Sequence, residues 1–178
     1  MTEGPAAAGQ LDQIYEYRTR LVTRLAEQPA EFAELVAIIP DAEWHNHRAP
    51  DGATLHQLAA HFRDAEGLAF WPRVQRILTE DFPRLDPFPH HRWSVEAQYR
   101  ADEPVAAILE SFTRTRADVV ARLRPLDPVT WTRAGFHPPS GPRTLQFWVE
   151  RLYTHARDHL TEIRRLAATL PAWTAWLP

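Results

Sequence analysis

Nine histidines stand at positions 45, 47, 56, 61, 90, 91, 137, 155 and 159, and imidazole is the side chain best suited to metal binding or proton transfer near neutral pH. His155 and His159 lie one helical turn apart. In the series Trp148, Leu152, His155, His159, Ile163, Leu166 the steps are four, three, four, four and three. Both imidazoles therefore belong to the apolar stripe of one helix, about 6 Å apart along its axis, where both can reach a single metal ion. His61 belongs to a second stripe, with Leu58, Phe62 and Ala65 three or four residues apart. A single inward histidine is ordinarily a hydrogen-bonded core residue. Three neutral imidazoles in an apolar interior would need several separate partners, whereas one divalent ion takes all three lone pairs. The pattern points to a metal site at His61, His155 and His159.

Three protein ligands leave at least one coordination position open for water or a thiol, as in a catalytic rather than a closed structural site. The chain has no cysteine, so a thiol nucleophile would have to come from outside. Asp64 and Glu162 follow His61 and His159 by three residues and are candidates to accept a ligand's second N–H. Arg116, four residues after Phe112, reads as a snorkelling arginine at the core edge, with a substrate-carboxylate clamp as the other role. Trp71, Trp93, Trp131 and Trp148 could line a pocket or fill the core. His45, His47, His90, His91 and His137 fall in Pro-rich or turn segments, where solvation or a local hydrogen bond is expected.

Other chemistries lose ground on their signatures. The helical pair reads His155-Ala156-Arg157-Asp158-His159, without the glutamate of a zincin's HExxH. There is no P-loop, dinucleotide-binding glycine motif, hydrolase nucleophile elbow or paired ExxH motif of a di-iron bundle.

The elements that must hold these histidines are helical. Leu11, Ile14, Leu21, Val22 and Leu25 predict a first helix after a frayed start over about residues 1–10, with a second short run, Phe32 to Ile39, beyond a break at Pro29. Thr54 is placed to cap a long helix to about Glu80, with Leu55, Leu58, Phe62, Ala65 and Ala69 inward. Prolines at 83, 87 and 89 predict an irregular segment, followed by a short helix over 94–100. Pro104 opens a third long helix with Val105, Ile108, Phe112, Val119 and Leu123 inward, and Pro125 ends it. A Gly/Pro-rich loop over 134–142 precedes a final helix from Thr144 to about Leu170, and 171–178 form an apolar tail. With no alternating β-branched run and no internal repeat, the chain reads as all-α, a four-helix bundle with long irregular connections.

At 178 residues with 44% apolar and 24% charged content, residues 1–178 are expected to form one folded domain. The formal charge of −3 gives no bulk attraction to nucleic acid or anionic lipid. No stretch reaches the ~18 uninterrupted apolar residues of a membrane span, and no secretory signal opens the chain, so a cytoplasmic location is expected. All twenty basic residues are arginine.

Two segments resemble the DinB-like, also called YfiT-like, metalloenzyme superfamily. The first runs from Gly52 to Glu66, with Thr54-Leu55, His61 and Asp64-Ala65-Glu66; the second is Tyr153-Thr154-His155-Ala156-Arg157-Asp158-His159-Leu160. The likeness extends from about Tyr15 to Leu166. It implies a four-helix bundle, often a homodimer, with a zinc- or nickel-type ion on His61, His155 and His159. It also implies a small-molecule substrate and, in some relatives, transfer of a low-molecular-weight thiol such as bacillithiol or mycothiol to an electrophile. Nucleic-acid binding is not implied. The sequence departs from relatives that carry a histidine directly before the last ligand, since Asp158 stands there. The alternative is a non-catalytic stress-response bundle that binds a metal or small molecule.

Overall fold

Pro29 does not break the first helix. In the computed structural model, which describes residues 5–88 and 102–170, α1 runs uninterrupted over Pro5–Ile38, correcting both the expected break and the later start. Leu25, Gln28, Phe32 and Leu35 are buried at helical spacing across the proline. Burying Phe32 and Leu35 alone is worth about 1.5–3 kcal/mol each, enough to offset the roughly 3 kcal/mol that an interior proline costs.

After the short α2 (Asp41–Asn46), Thr54 opens the next helix with a capping box. Its hydroxyl accepts from the Gln57 N–H at 3.1 Å while the Gln57 side chain accepts from the Thr54 N–H at 2.9 Å. The expected long helix is α3 (Leu55–Ala65) and α4 (Trp71–Thr79) joined by a π-helical turn over Glu66–Phe70. All five residues of its expected inward stripe are buried. α5 spans Val105–Leu123 with Pro104 as its N-cap residue, and a single 3₁₀ turn, Thr130–Thr132, seats Trp131 in the core.

The Gly/Pro-rich stretch is not a plain loop. It forms an antiparallel hairpin, β1 (Ala134–His137) and β2 (Gly141–Thr144), in which Ala134 pairs with Thr144 and His137 with Gly141. Phe136 also exchanges backbone hydrogen bonds with the 81–88 segment, donating to Pro83 O at 2.8 Å and accepting from Leu85 N at 2.7 Å. Gly135 permits this approach, because a Cβ there would lie 2.9 Å from Pro83 O. Thr144 then caps α6 (Leu145–Ala167). The expected short helix at 94–100, His90, His91, Trp93 and the 171–178 tail lie outside the described residues.

α1 packs against α5 and α6, α3 against the same two helices, and α4 against α6, giving a four-helix bundle with one small hairpin. Among the described residues no helix is long and apolar enough to cross a membrane. The core falls into two apolar clusters. Phe32, Phe62, Phe112 and Leu160 belong to one; Leu25, Val119, Trp148 and Leu152 belong to the other. Where the clusters meet, α1 contributes Gln28, the π-turn Glu66, α5 Arg116 and α6 His155, with His159 one turn farther along α6.

Candidate metal centre

The helix phases bring the three expected histidines together. α3 carries His61 and packs against α6, which carries His155 and His159. The ring centroids of His61 lie 5.2 Å from His155 and 4.9 Å from His159, and those of His155 and His159 lie 4.6 Å apart. One ligand-capable nitrogen from each falls within 4.8 Å of the others, and all three residues are half-buried. Among the described residues this is the one group of three or more His, Asp or Glu side chains close enough to hold a metal ion.

Aromatic rings wall the cluster. Phe62 stacks on His159 at 6.4 Å, and Phe70, the last residue of the π-turn, packs against His155 at 5.2 Å. A π-turn inserts an extra residue into the helical register, and here the residue delivered to the imidazole is Phe70.

Burial holds the His159 pKa below the usual imidazole value, against the opposing pull of Glu162, Asp158 and Asp51. The ring is therefore neutral at neutral pH and keeps a lone pair to give. Its Nδ1 is buried without a hydrogen-bond partner, and Glu162 Oε2 stands 3.6 Å away, just beyond hydrogen-bond reach. Asp64 Oδ1 stands 2.5 Å from Arg63 Nε, and Arg63 also makes two bonds of 2.9 Å to the Glu103 carboxylate. A donor set of three converging imidazoles fits a divalent ion.

Two clefts open beside the cluster. One, of about 470 Å³, is lined by His61 and His159 together with Arg48, Asp51 and Gln57. The other, of about 520 Å³, is lined by His155, Phe70, Arg73, His137, Trp148 and Arg151 among others. Trp148 thus meets the pocket expectation, Trp131 borders a separate cleft between α1 and the end of α5, and Trp71 is buried in the core.

Arg116 is neither a snorkelling residue nor a substrate clamp. It is 1% exposed, donates from Nη1 to Gln28 Oε1 at 2.8 Å and from Nη2 to Glu66 Oε2, and Gln28 in turn donates to Tyr153 O at 3.1 Å. Burial pushes Glu66 up to about 7 although Arg116 pulls it down. Three other histidines have local roles. His45 lies in α2 and stacks on the buried His56, His56 Nε2 bonds Glu103 O at 2.8 Å, and His137 lies in β1 rather than a turn.

A four-helix bundle whose facing helices bring three imidazoles together has the arrangement in which bundle proteins can hold a metal ion between helices. The DinB superfamily profile matches residues 24–163, and the chain belongs to that superfamily. Among solved structures it is similar to YfiT from Bacillus subtilis, described as a probable metal-dependent hydrolase with an unusual four-helix bundle topology. The two share a TM-score of 0.77 over 85% of this chain and 86% of that one, at 22% identity. No curated protein matches the chain.

Proposed function

We propose that the chain is a metal-dependent enzyme that transfers a low-molecular-weight thiol of the bacillithiol or mycothiol type to an electrophilic small molecule. His61, His155 and His159 would hold a divalent ion of the zinc or nickel type. The observation that carries this reading is the cluster of ligand-capable nitrogens, one from each of the three rings, within 4.8 Å of one another.

When bound, the ion supplies the Lewis acidity that makes an exogenous thiol or water nucleophilic near neutral pH. The remaining roles belong to the chain. His159 is kept neutral by burial and so presents a lone pair. Phe62 and Phe70 hold two of the rings from the side and exclude water there. Glu162 stands where a small side-chain rotation lets it accept from His159 Nδ1 and fix the ring. Arg63, paired with Asp64 beside His61, ties α3 to the Glu103 carboxylate. Hydrolysis is the second reading, favoured by the description of YfiT; water would replace the thiol at the same centre.

Metal content by inductively coupled plasma mass spectrometry, followed by a thiol-consumption assay against epoxides and chloroaromatics, tests the proposal. About one divalent ion per chain is expected, absent from His155→Ala and His159→Ala while helical circular dichroism persists, with thiol consumption that follows the metal. Turnover of the same compounds without thiol would shift the reading to hydrolysis. No metal after reconstitution with zinc or nickel would overturn both and leave a non-catalytic bundle.

A further inference from the structure

The cleft beside His155 has a lining that the cleft beside His61 lacks. Among the described residues its basic side chains come from two elements, Arg73 on α4 and Arg151 on α6, and none of the described lining residues is acidic. Arg73 is 6% exposed, lies over the Trp148 ring at 4.6 Å and donates from Nη2 to Asp86 O at 2.9 Å. An arginine keeps its charge when buried, and Asp86, whose charge it feels, lines the neighbouring cleft instead. The cleft beside His61 and His159, by contrast, includes Asp51.

Two further atoms point to a missing acceptor. Trp148 is 3% exposed, and its Nε1 is buried with no hydrogen-bond partner. His137 Nε2 is in the same condition, while its Nδ1 meets Ser140 Oγ at 2.6 Å. Burial, with Arg73 and Arg143 nearby, holds the His137 pKa down, so the ring is neutral. In the tautomer whose Nδ1 accepts from the Ser140 hydroxyl, Nε2 carries a proton to donate. Buried donors are almost always satisfied in folded proteins. Trp148, His137, Arg73 and Arg151 line one cleft, with Phe70 and Phe147 as its apolar walls.

We propose that this cleft is the substrate pocket and that its ligand is a flat, largely apolar small molecule bearing a carboxylate-type anion. Arg73, Arg151 and the Trp148 N–H bind the anion, and Phe70 and Phe147 cover the apolar body. His155 lines the same cleft, so a ligand held there lies beside the histidine cluster. Only its reaction there rests on the metal-enzyme reading; the anion pocket stands on its own residues.

The test compares 2-naphthoate with its uncharged amide on the full chain, both metal-loaded and stripped with a chelator. The readouts are affinity and the indole N–H resonance of Trp148, assigned with Trp148→Phe. Naphthoate is expected to bind at least about tenfold more tightly than the amide and to move the Trp148 resonance in both metal states. Arg151→Gln, on the exposed rim, should lower naphthoate affinity about fivefold without altering thermal unfolding. Arg73→Gln should lower it more, and if that variant fails to fold, the amide comparison and Arg151→Gln decide. Equal affinity for the two compounds, an unmoved Trp148 resonance, or naphthoate binding confined to the metal-loaded protein would overturn the proposal. Naphthoate binding to a protein that takes up no metal would retain the pocket and remove the reaction. Metal uptake without discrimination between the compounds would remove the pocket alone.

Discussion

Two polar groups lie between the packed helices of the bundle, and they differ in composition. Gln28, Arg116 and Glu66 contain a cation, an anion and an amide that bond one another, and Gln28 ties the set to the α6 backbone at Tyr153. His61, His155 and His159 are three groups of one kind, gathered so that their nitrogens converge. The first set joins opposite charges and links α1, the π-turn and α5 to α6. The second gathers donor atoms of one chemical type at the spacing a metal ion needs. Buried polarity alone therefore does not mark a functional site; the convergence of like ligand atoms does.

The largest effect should come from breaking the first set. Glu66→Ala leaves the Arg116 guanidinium buried without its counter-charge and should cost about 3–5 kcal/mol in urea unfolding. Arg116→Met should cost less, because an arginine cannot shed its charge whereas Glu66, already raised to about 7, takes up a proton readily. The double variant Glu66→Leu with Arg116→Met should recover most of the Glu66→Ala loss. A Glu66→Ala loss under about 1 kcal/mol would mean that Arg116 is held by something else, and the contrast between the two sets would fail.

The histidine set should behave in the opposite way. In chelator-treated protein, His159→Ala removes a half-buried ring rather than one member of an ion pair, so its cost should be well below that of Glu66→Ala. Zinc or nickel at a hundredfold excess over its Kd should raise the unfolding free energy of the wild type by about 2.7 kcal/mol and leave His159→Ala unmoved. Equal stabilisation of both proteins by metal would place the ion elsewhere.

Periodicity found the histidine set because His61, His155 and His159 occupy inward positions of regular helix, where steps of three and four translate directly into a shared face. The same reasoning saw Arg116 in its stripe but gave it the edge of the core, since a lone arginine on an apolar face carries no sign of a carboxylate about fifty residues earlier. Glu66 could not be paired with it: the π-turn that begins at Glu66 changes the register, and no local residue pattern announced it. Pro29 misled for a different reason, since the proline is local whereas the burial of Phe32 and Leu35 that carries the helix through it is tertiary. The hairpin was hidden by its composition. Its strands hold Gly135, Gly141 and Pro142, poor strand formers kept in place by pairing across Ala134–Thr144 and by the backbone of 83–85.

The smallest effect separates the two sets by pH. Glu66 has a folded pKa of about 7 against an ordinary value of 4.5, raised by burial. Below pH 4.5 it is protonated in both states and its contribution is fully present. As pH rises from 4.5 to 7 the unfolded chain releases this proton first, so stability falls, with a slope no steeper than about 1.4 kcal/mol per pH unit. His159 works in reverse in metal-free protein. Its folded pKa lies below 6.5, so the unfolded chain holds the extra proton and stability rises as pH climbs toward 6.5. The two slopes oppose each other below pH 6.5, so in the wild type the rise from His159 works against the fall from Glu66. Glu66→Gln removes only the falling part, because a neutral amide keeps the shape of the protonated acid. Urea unfolding of Glu66→Gln between pH 5 and 7 should therefore show stability that rises with pH more steeply than in the wild type. Parallel pH profiles for the two proteins would mean that Glu66 stays ionised beside Arg116 throughout, making that set a permanent ion pair rather than a protonatable one.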